Sequence, residues 1–126
     1  VNGDEISAVD NVKVYNACGK FKLNESADLV RKSKLVISND TGLMHIAAAY
    51  KKPIISLWGN TVPSFGMYPY YGKSSAQNYD VIEINKLWCR PCSKIGYDKC
   101  PKGHFKCMEL IAVNEIVNIV NKQLGK

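Results

Sequence analysis

The 126-residue chain is 46% hydrophobic and 22% charged, a balance that suits one small globular domain, or a piece of a larger one, and argues against a disordered segment. Its uninterrupted apolar stretches are only a handful of residues long, short of the roughly 20 that a membrane-crossing helix needs. A formal net charge of +6 favours an anionic partner, although the lysines are scattered and also describe an ordinary solvated surface.

In chain order, Val12-Lys13-Val14-Tyr15 reads as a short strand, followed by the turn-prone Ala17-Cys18-Gly19-Lys20. Asn24 is placed to cap a helix over Glu25 to Ser33, in which Ala27, Leu29 and Val30 form the apolar side. Leu35-Val36-Ile37-Ser38 is nearly continuous in apolar character, which predicts a strand covered on both faces, as in a parallel sheet. From Gly42 to Tyr50 the spacing of Leu43, Ile46, Ala47 and Tyr50 predicts a helix with one buried stripe, ended by Lys51-Lys52-Pro53.

Ile54-Ile55-Ser56-Leu57-Trp58 then completes a β-α-β-α-β order, which implies an α/β fold with right-handed crossovers and a parallel sheet. Gly59 to Asn78, rich in Gly, Pro, Tyr and Ser, reads as a long loop with one helical turn. Tyr79 to Ile84 reads as a fourth strand, Cys89 to Cys107 as a cysteine-rich excursion, and Val113 to Leu124 as a terminal helix carrying Ile116, Val117, Val120 and Leu124 on one side.

The informative boundary is Asp40-Thr41-Gly42, where a strand gives way to a helix. Backbone N–H groups and the positive end of the helix dipole meet at such a junction, and anions bind there. The Thr41 hydroxyl and the Thr41 and Gly42 amides suit phosphate oxygens, the acceptor-only Asp40 carboxylate suits sugar hydroxyls, and His45 lies within the first helical turn. An ordinary capped turn uses the same residue types. A second polar turn, Gly59-Asn60-Thr61, follows the next strand at the same sheet edge and so forms the kind of crevice in which open α/β sheets bind ligands.

Leu35 to Ala49, with Lys52-Pro53, Leu57-Trp58-Gly59 and Thr61, resembles glycosyltransferase family 9, the ADP-heptose:lipopolysaccharide heptosyltransferases. Cys18-Gly19-Lys20 with Leu23, Glu25 and Ala27 is similar to the segment before that motif, and Cys100-Pro101-Lys102-Gly103-His104 with Cys107-Met108 to a later cysteine-bearing one. The resemblance implies a GT-B architecture and a Rossmann-like parallel sheet with flanking helices. It assigns residues 1–126 to part of the C-terminal sugar-nucleotide-binding domain, without the N-terminal acceptor domain. On the same basis Asp40 contacts the donor sugar, Thr41 and Gly42 hold the diphosphate, and His45 belongs to the donor site. Transfer of a heptose-type sugar from an ADP-sugar to an anionic lipopolysaccharide core acceptor, with inversion and without a required catalytic metal, is implied for the full-length protein. The general base is expected in the absent domain, so this chain alone is expected to be inactive. A cytoplasmic location, with peripheral association at the inner face of the inner membrane, follows from the same resemblance.

Cys89, Cys92, Cys100 and Cys107 place four thiols within nineteen residues, a spacing compatible with a structural zinc site, with His104 as an alternative ligand. Disulfides in an oxidised preparation and free reduced thiols are the competing readings, and Cys18 reads as an unpaired core or turn residue. Trp88, Tyr97 and Phe105 among the lysines also fit a basic, metal-stabilised nucleic-acid-binding module, although such a module gives the strand-end turns no role. The aromatics from Trp58 to Tyr71 fit a non-catalytic interaction domain as well.

Overall fold

The computed structural model describes residues 3–10, 12–73 and 76–125. In chain order it contains helices α1 (Gly3–Ser7) and α2 (Leu23–Lys32), strand β1 (Val36–Asn39), helix α3 (Gly42–Ala49) and strands β2 (Ile54–Trp58) and β3 (Tyr79–Glu83). Helices α4 (Lys106–Glu109) and α5 (Val113–Leu124) complete it. The sheet order is β1-β2-β3, and both pairs are parallel: Val36 lies beside Ile54, and Ile54 beside Tyr79. The expected α/β fold with a parallel sheet and flanking helices is therefore present.

The central strand β2 is buried at Ile54, Ile55, Ser56 and Trp58, because it has strands on both sides and α3 packed against it. Met44, Ala47 and Ala48 of α3 are fully buried against Ile54, Trp58 and Tyr71. The two small alanines let the helix backbone approach the sheet closely. The buried stripe is thus Met44-Ala47-Ala48 rather than the expected Leu43-Ile46-Ala47-Tyr50; Leu43 and Tyr50 are exposed. Tyr71 locks the long loop to the sheet, its hydroxyl lying 2.6 Å from the Lys52 carbonyl and 2.7 Å from that of Asn78, at the entrances to β2 and β3. Burial pushes its pKa up to about 12.

Several expectations are corrected. Val12 to Tyr15 is not a strand: the Asp10 carboxylate accepts the Val12 and Lys13 N–H groups, which folds the segment into a turn, and Val12 and Tyr15 face solvent. The sheet consequently has two strands before the long loop rather than three. β1 alternates between half-buried and exposed, with Ile37 50% exposed, because it is the edge strand; the two-sided covering expected there belongs to β2. α2 starts at Leu23, one residue before the expected cap Asn24, where the Glu25 carboxylate accepts the Lys22 N–H at 2.7 Å. Along α5, Ile116, Ile119, Val120 and Gln123 are the half-buried positions, whereas Val117 and Leu124 are exposed. Gln123 Nε2 donates to Asp80 Oδ2 at 3.2 Å and ties the helix to β3. The long loop contains its one expected helical turn, a 3-10 turn at Pro63–Phe65.

Candidate functional site

The turns that leave β1 and β2 open onto a single cavity of about 600 Å³ at the carboxyl end of the sheet. Asp40 and Thr41 line it from the first turn, and Gly59, Asn60 and Thr61 from the second. Ile95, Tyr97, Asp98 and Phe105 of the cysteine-rich excursion line it as well. Thr61 is only 6% exposed and donates its hydroxyl to Asp40 Oδ2 at 3.2 Å, so the two turns are joined across the crevice.

The ordinary capping role does not account for the first turn. Thr41 has the extended backbone of an N-cap, yet its side chain makes no cap hydrogen bond; its hydroxyl lies 3.0 Å from Ser38 Oγ instead. Among the described residues, no protein acceptor meets the Gly42 or Leu43 N–H at the positive end of α3. Gly42 needs its glycine neither for a left-handed backbone nor for packing, because a Cβ built there has nothing within 4 Å. Open space lies in front of that part of the backbone. His45 is exposed on α3 and is not among the residues lining the cavity, and neither is Gly42. The sequence-predicted residues therefore divide into two groups: Asp40 and Thr41 at the cavity, and Gly42 and His45 on the adjoining first turn of the helix.

The excursion is held against the second turn by Arg90 and Asn60. The Arg90 side chain is 5% exposed, donates to the carbonyls of Gly59, Thr61 and Ile84, and pairs with Glu83 at 2.6 Å. Asn60 donates to the Tyr97 carbonyl and accepts the Cys92 N–H, each at 2.9 Å. Gly96 has a left-handed φ of 82°, and a Cβ there would lie 2.8 Å from Asn60 Oδ1, so both conformation and close approach require glycine. Gly59 is similarly tight, with Met108 Sδ 3.0 Å from where its Cβ would stand.

All five cysteines are free thiols. The Phe105 N–H, donated to Cys100 Sγ at 3.4 Å, holds that thiol below its ordinary pKa. Burial pushes Cys92 and Cys107 up, reinforced by neighbouring thiols of the excursion. Cys89 Sγ lies 3.7 Å from His104 Nε2. Among the described residues, however, no three His, Cys, Asp or Glu side chains are gathered as a metal ion requires, so the zinc expectation at Cys89, Cys92, Cys100 and Cys107 meets no assembled ligand set. Cys18 is exposed in its turn.

A parallel α/β sheet with a polar cavity at the carboxyl ends of its strands is the arrangement in which open α/β proteins bind ligands. The sequence profile of Glycosyltransferase family 9 (heptosyltransferase) matches residues 4–100, and the chain belongs to that family. It is 27% identical over 118 residues to lipooligosaccharide heptosyltransferase 2 of Campylobacter jejuni, covering 94% of this chain and 34% of that protein. Identity is 50% over 50 residues to lipooligosaccharide heptosyltransferase 2 of Haemophilus influenzae, covering 40% of this chain and 14% of the relative. With lipopolysaccharide heptosyltransferase 2 of Escherichia coli it is 36% over 67 residues, covering 50% of this chain and 19% of the relative. The matches thus span at most about a third of these relatives' lengths. No solved structure gives a significant match. Among the described residues no helix is long and apolar enough to cross a membrane.

Proposed function

We propose that this chain supplies the donor-binding part of an inverting heptosyltransferase that moves a heptose-type sugar from an ADP-sugar to an anionic lipopolysaccharide core acceptor. The observation that carries the proposal is the pair of N–H groups at Gly42 and Leu43, without a protein acceptor among the described residues and with open space at Gly42, beside a cavity lined by Asp40 and Thr41. A diphosphate fits those amides and the α3 dipole. The sugar attached to it extends towards Asp40, whose carboxylate accepts hydrogen bonds from hydroxyls but repels phosphate.

In the transfer, the acceptor hydroxyl loses its proton to a base, its oxygen bonds to the anomeric carbon, and the bond from that carbon to the diphosphate oxygen breaks on the opposite face. Negative charge grows on the departing diphosphate. N–H groups fixed in advance by the helix interact more strongly with that charge than with the intact donor, and this difference accelerates the reaction. Asp40 orients the sugar, with its carboxylate steadied by Thr61. The general base belongs to the acceptor domain that the family resemblance implies outside this chain.

The test is calorimetric titration of the full-length protein with ADP-heptose. Asp40→Ala is expected to weaken binding about tenfold or more, since a charge-assisted hydrogen bond is worth roughly 1.5–3 kcal/mol. Undiminished affinity in a folded Asp40→Ala protein would overturn the assignment.

A further inference from the structure

The excursion wall does more than close the cavity. Asp98 brings a second carboxylate to the space that Asp40 already lines, and Tyr97 and Phe105 bring exposed aromatic surface, 54% and 46% accessible. No lysine, arginine or histidine is among the lining residues, although the chain as a whole carries a net charge of +6. Such a cavity, with two carboxylates and no cation, disfavours a phosphate group inside it. It favours an uncharged, hydroxyl-rich group whose C–H face lies against an aromatic ring while its hydroxyls donate to carboxylates.

The wall is also fixed in place rather than draped across the opening. Asn60 grips the Tyr97 carbonyl, the Cys92 N–H returns to the Asn60 carbonyl, and the Ser93 hydroxyl donates to the Gly96 carbonyl at 3.0 Å. These bonds tie the backbone leading to Tyr97 to the β2 turn, and through the Thr61–Asp40 bond that same turn steadies Asp40. Two aspartates from different chain segments lining one cavity can then read hydroxyls at two separate positions of one sugar.

We infer that Tyr97, Asp98 and Phe105 form the sugar-recognition wall of the donor site, with Asp98 accepting hydroxyls of the transferred sugar and the two rings packing on its C–H face. The inference rests on the donor-binding reading given above and assigns the discrimination between sugars to the cysteine-rich excursion. The diphosphate remains at the start of α3, outside this wall.

Calorimetry on the full-length protein separates the two parts of the donor by using ADP and ADP-heptose as paired probes. Asp98→Asn, isosteric and exposed, is expected to weaken ADP-heptose binding about tenfold while leaving ADP within about twofold, as expected for loss of a hydrogen bond to a charged group. Tyr97→Ala, which keeps the carbonyl held by Asn60, and Phe105→Ala are expected to follow the same pattern. Retained ADP affinity shows in the same experiment that each variant is folded. Equal losses for both probes, or no loss for either, would overturn the inference while leaving the donor reading intact. Wild-type protein that binds neither probe would overturn both.

Discussion

Thr61→Val tests whether the bond between the two strand-end turns sets the position of the Asp40 carboxylate. Valine matches threonine in shape and replaces the hydroxyl with a methyl group, so at a position 6% exposed it fills the same space in the β2 turn while removing the donor. The lost interaction is an O–H donated to a carboxylate at 3.2 Å. Hydrogen bonds to charged groups contribute roughly 1.5–3 kcal/mol, but 3.2 Å lies beyond the usual O–H···O range of roughly 2.5–3.0 Å, and Asp40 is half-buried and regains water when freed. A value near 1 kcal/mol, about a fivefold change in equilibrium constant, is therefore the reasoned size. Titration of full-length Thr61→Val is expected to show ADP-heptose binding weakened about fivefold and ADP binding unchanged, because the proposed donor site has the diphosphate at the amides and not at Asp40. Unaltered ADP-heptose affinity would refute the positioning role. A loss of equal size for ADP would show that the bond supports the turn as a whole and not the carboxylate.

Three other outcomes follow from separate features. Gly42→Ala adds a methyl group that no protein atom opposes, so the thermal midpoint is expected to hold or rise, while ADP affinity measured by calorimetry falls at least fivefold. Arg90→Met removes the group that joins β3, the Gly59–Thr61 turn and the excursion and leaves Glu83 without its partner. A loss of about 3 kcal/mol in denaturant unfolding is expected, and Arg90→Lys should restore little of it, because an ammonium cannot reproduce the guanidinium fork. Tyr71 titrates near 10 in the unfolded chain and about 12 in the folded one. Its contribution is therefore fully present below pH 10 and declines as pH rises towards 12, because the unfolded chain gives up that proton first. Stability curves from pH 9 to 12 are expected to show that decline, and Tyr71→Phe should remove this residue's share of it.

The β1–turn–α3 unit was legible in the sequence because each of its signals is local: an apolar run, small polar residues, then alanine-rich helical spacing. The terminal helix α5 was legible for the same reason. What escaped depends on partners distant in the chain. Val12 to Tyr15 has strand-like composition, but the Asp10 carboxylate captures its N–H groups, and no neighbouring strand competes for them among the described residues. The buried face of α3 is set by how closely Ala47 and Ala48 let it approach the sheet, which shifts the stripe away from Leu43. The role of Arg90 has no local signature, since the three carbonyls and the carboxylate that converge on it lie in separate segments. Asp40 and Thr41 stand out at the strand–helix boundary, whereas Tyr97 and Asp98, which line the same cavity, come from more than fifty residues along the chain and are tied there by Asn60.

The central claim is that the amides opening α3 receive a donor's diphosphate. Amide-resolved NMR titration of isotope-labelled full-length protein with ADP tests it most directly. Saturable shifts centred on Thr41, Gly42 and Leu43, with smaller ones at Asn60 and Thr61, are the predicted result. Unmoved amides at Gly42 and Leu43 while shifts saturate elsewhere, or non-saturating shifts confined to surface lysines, would contradict it.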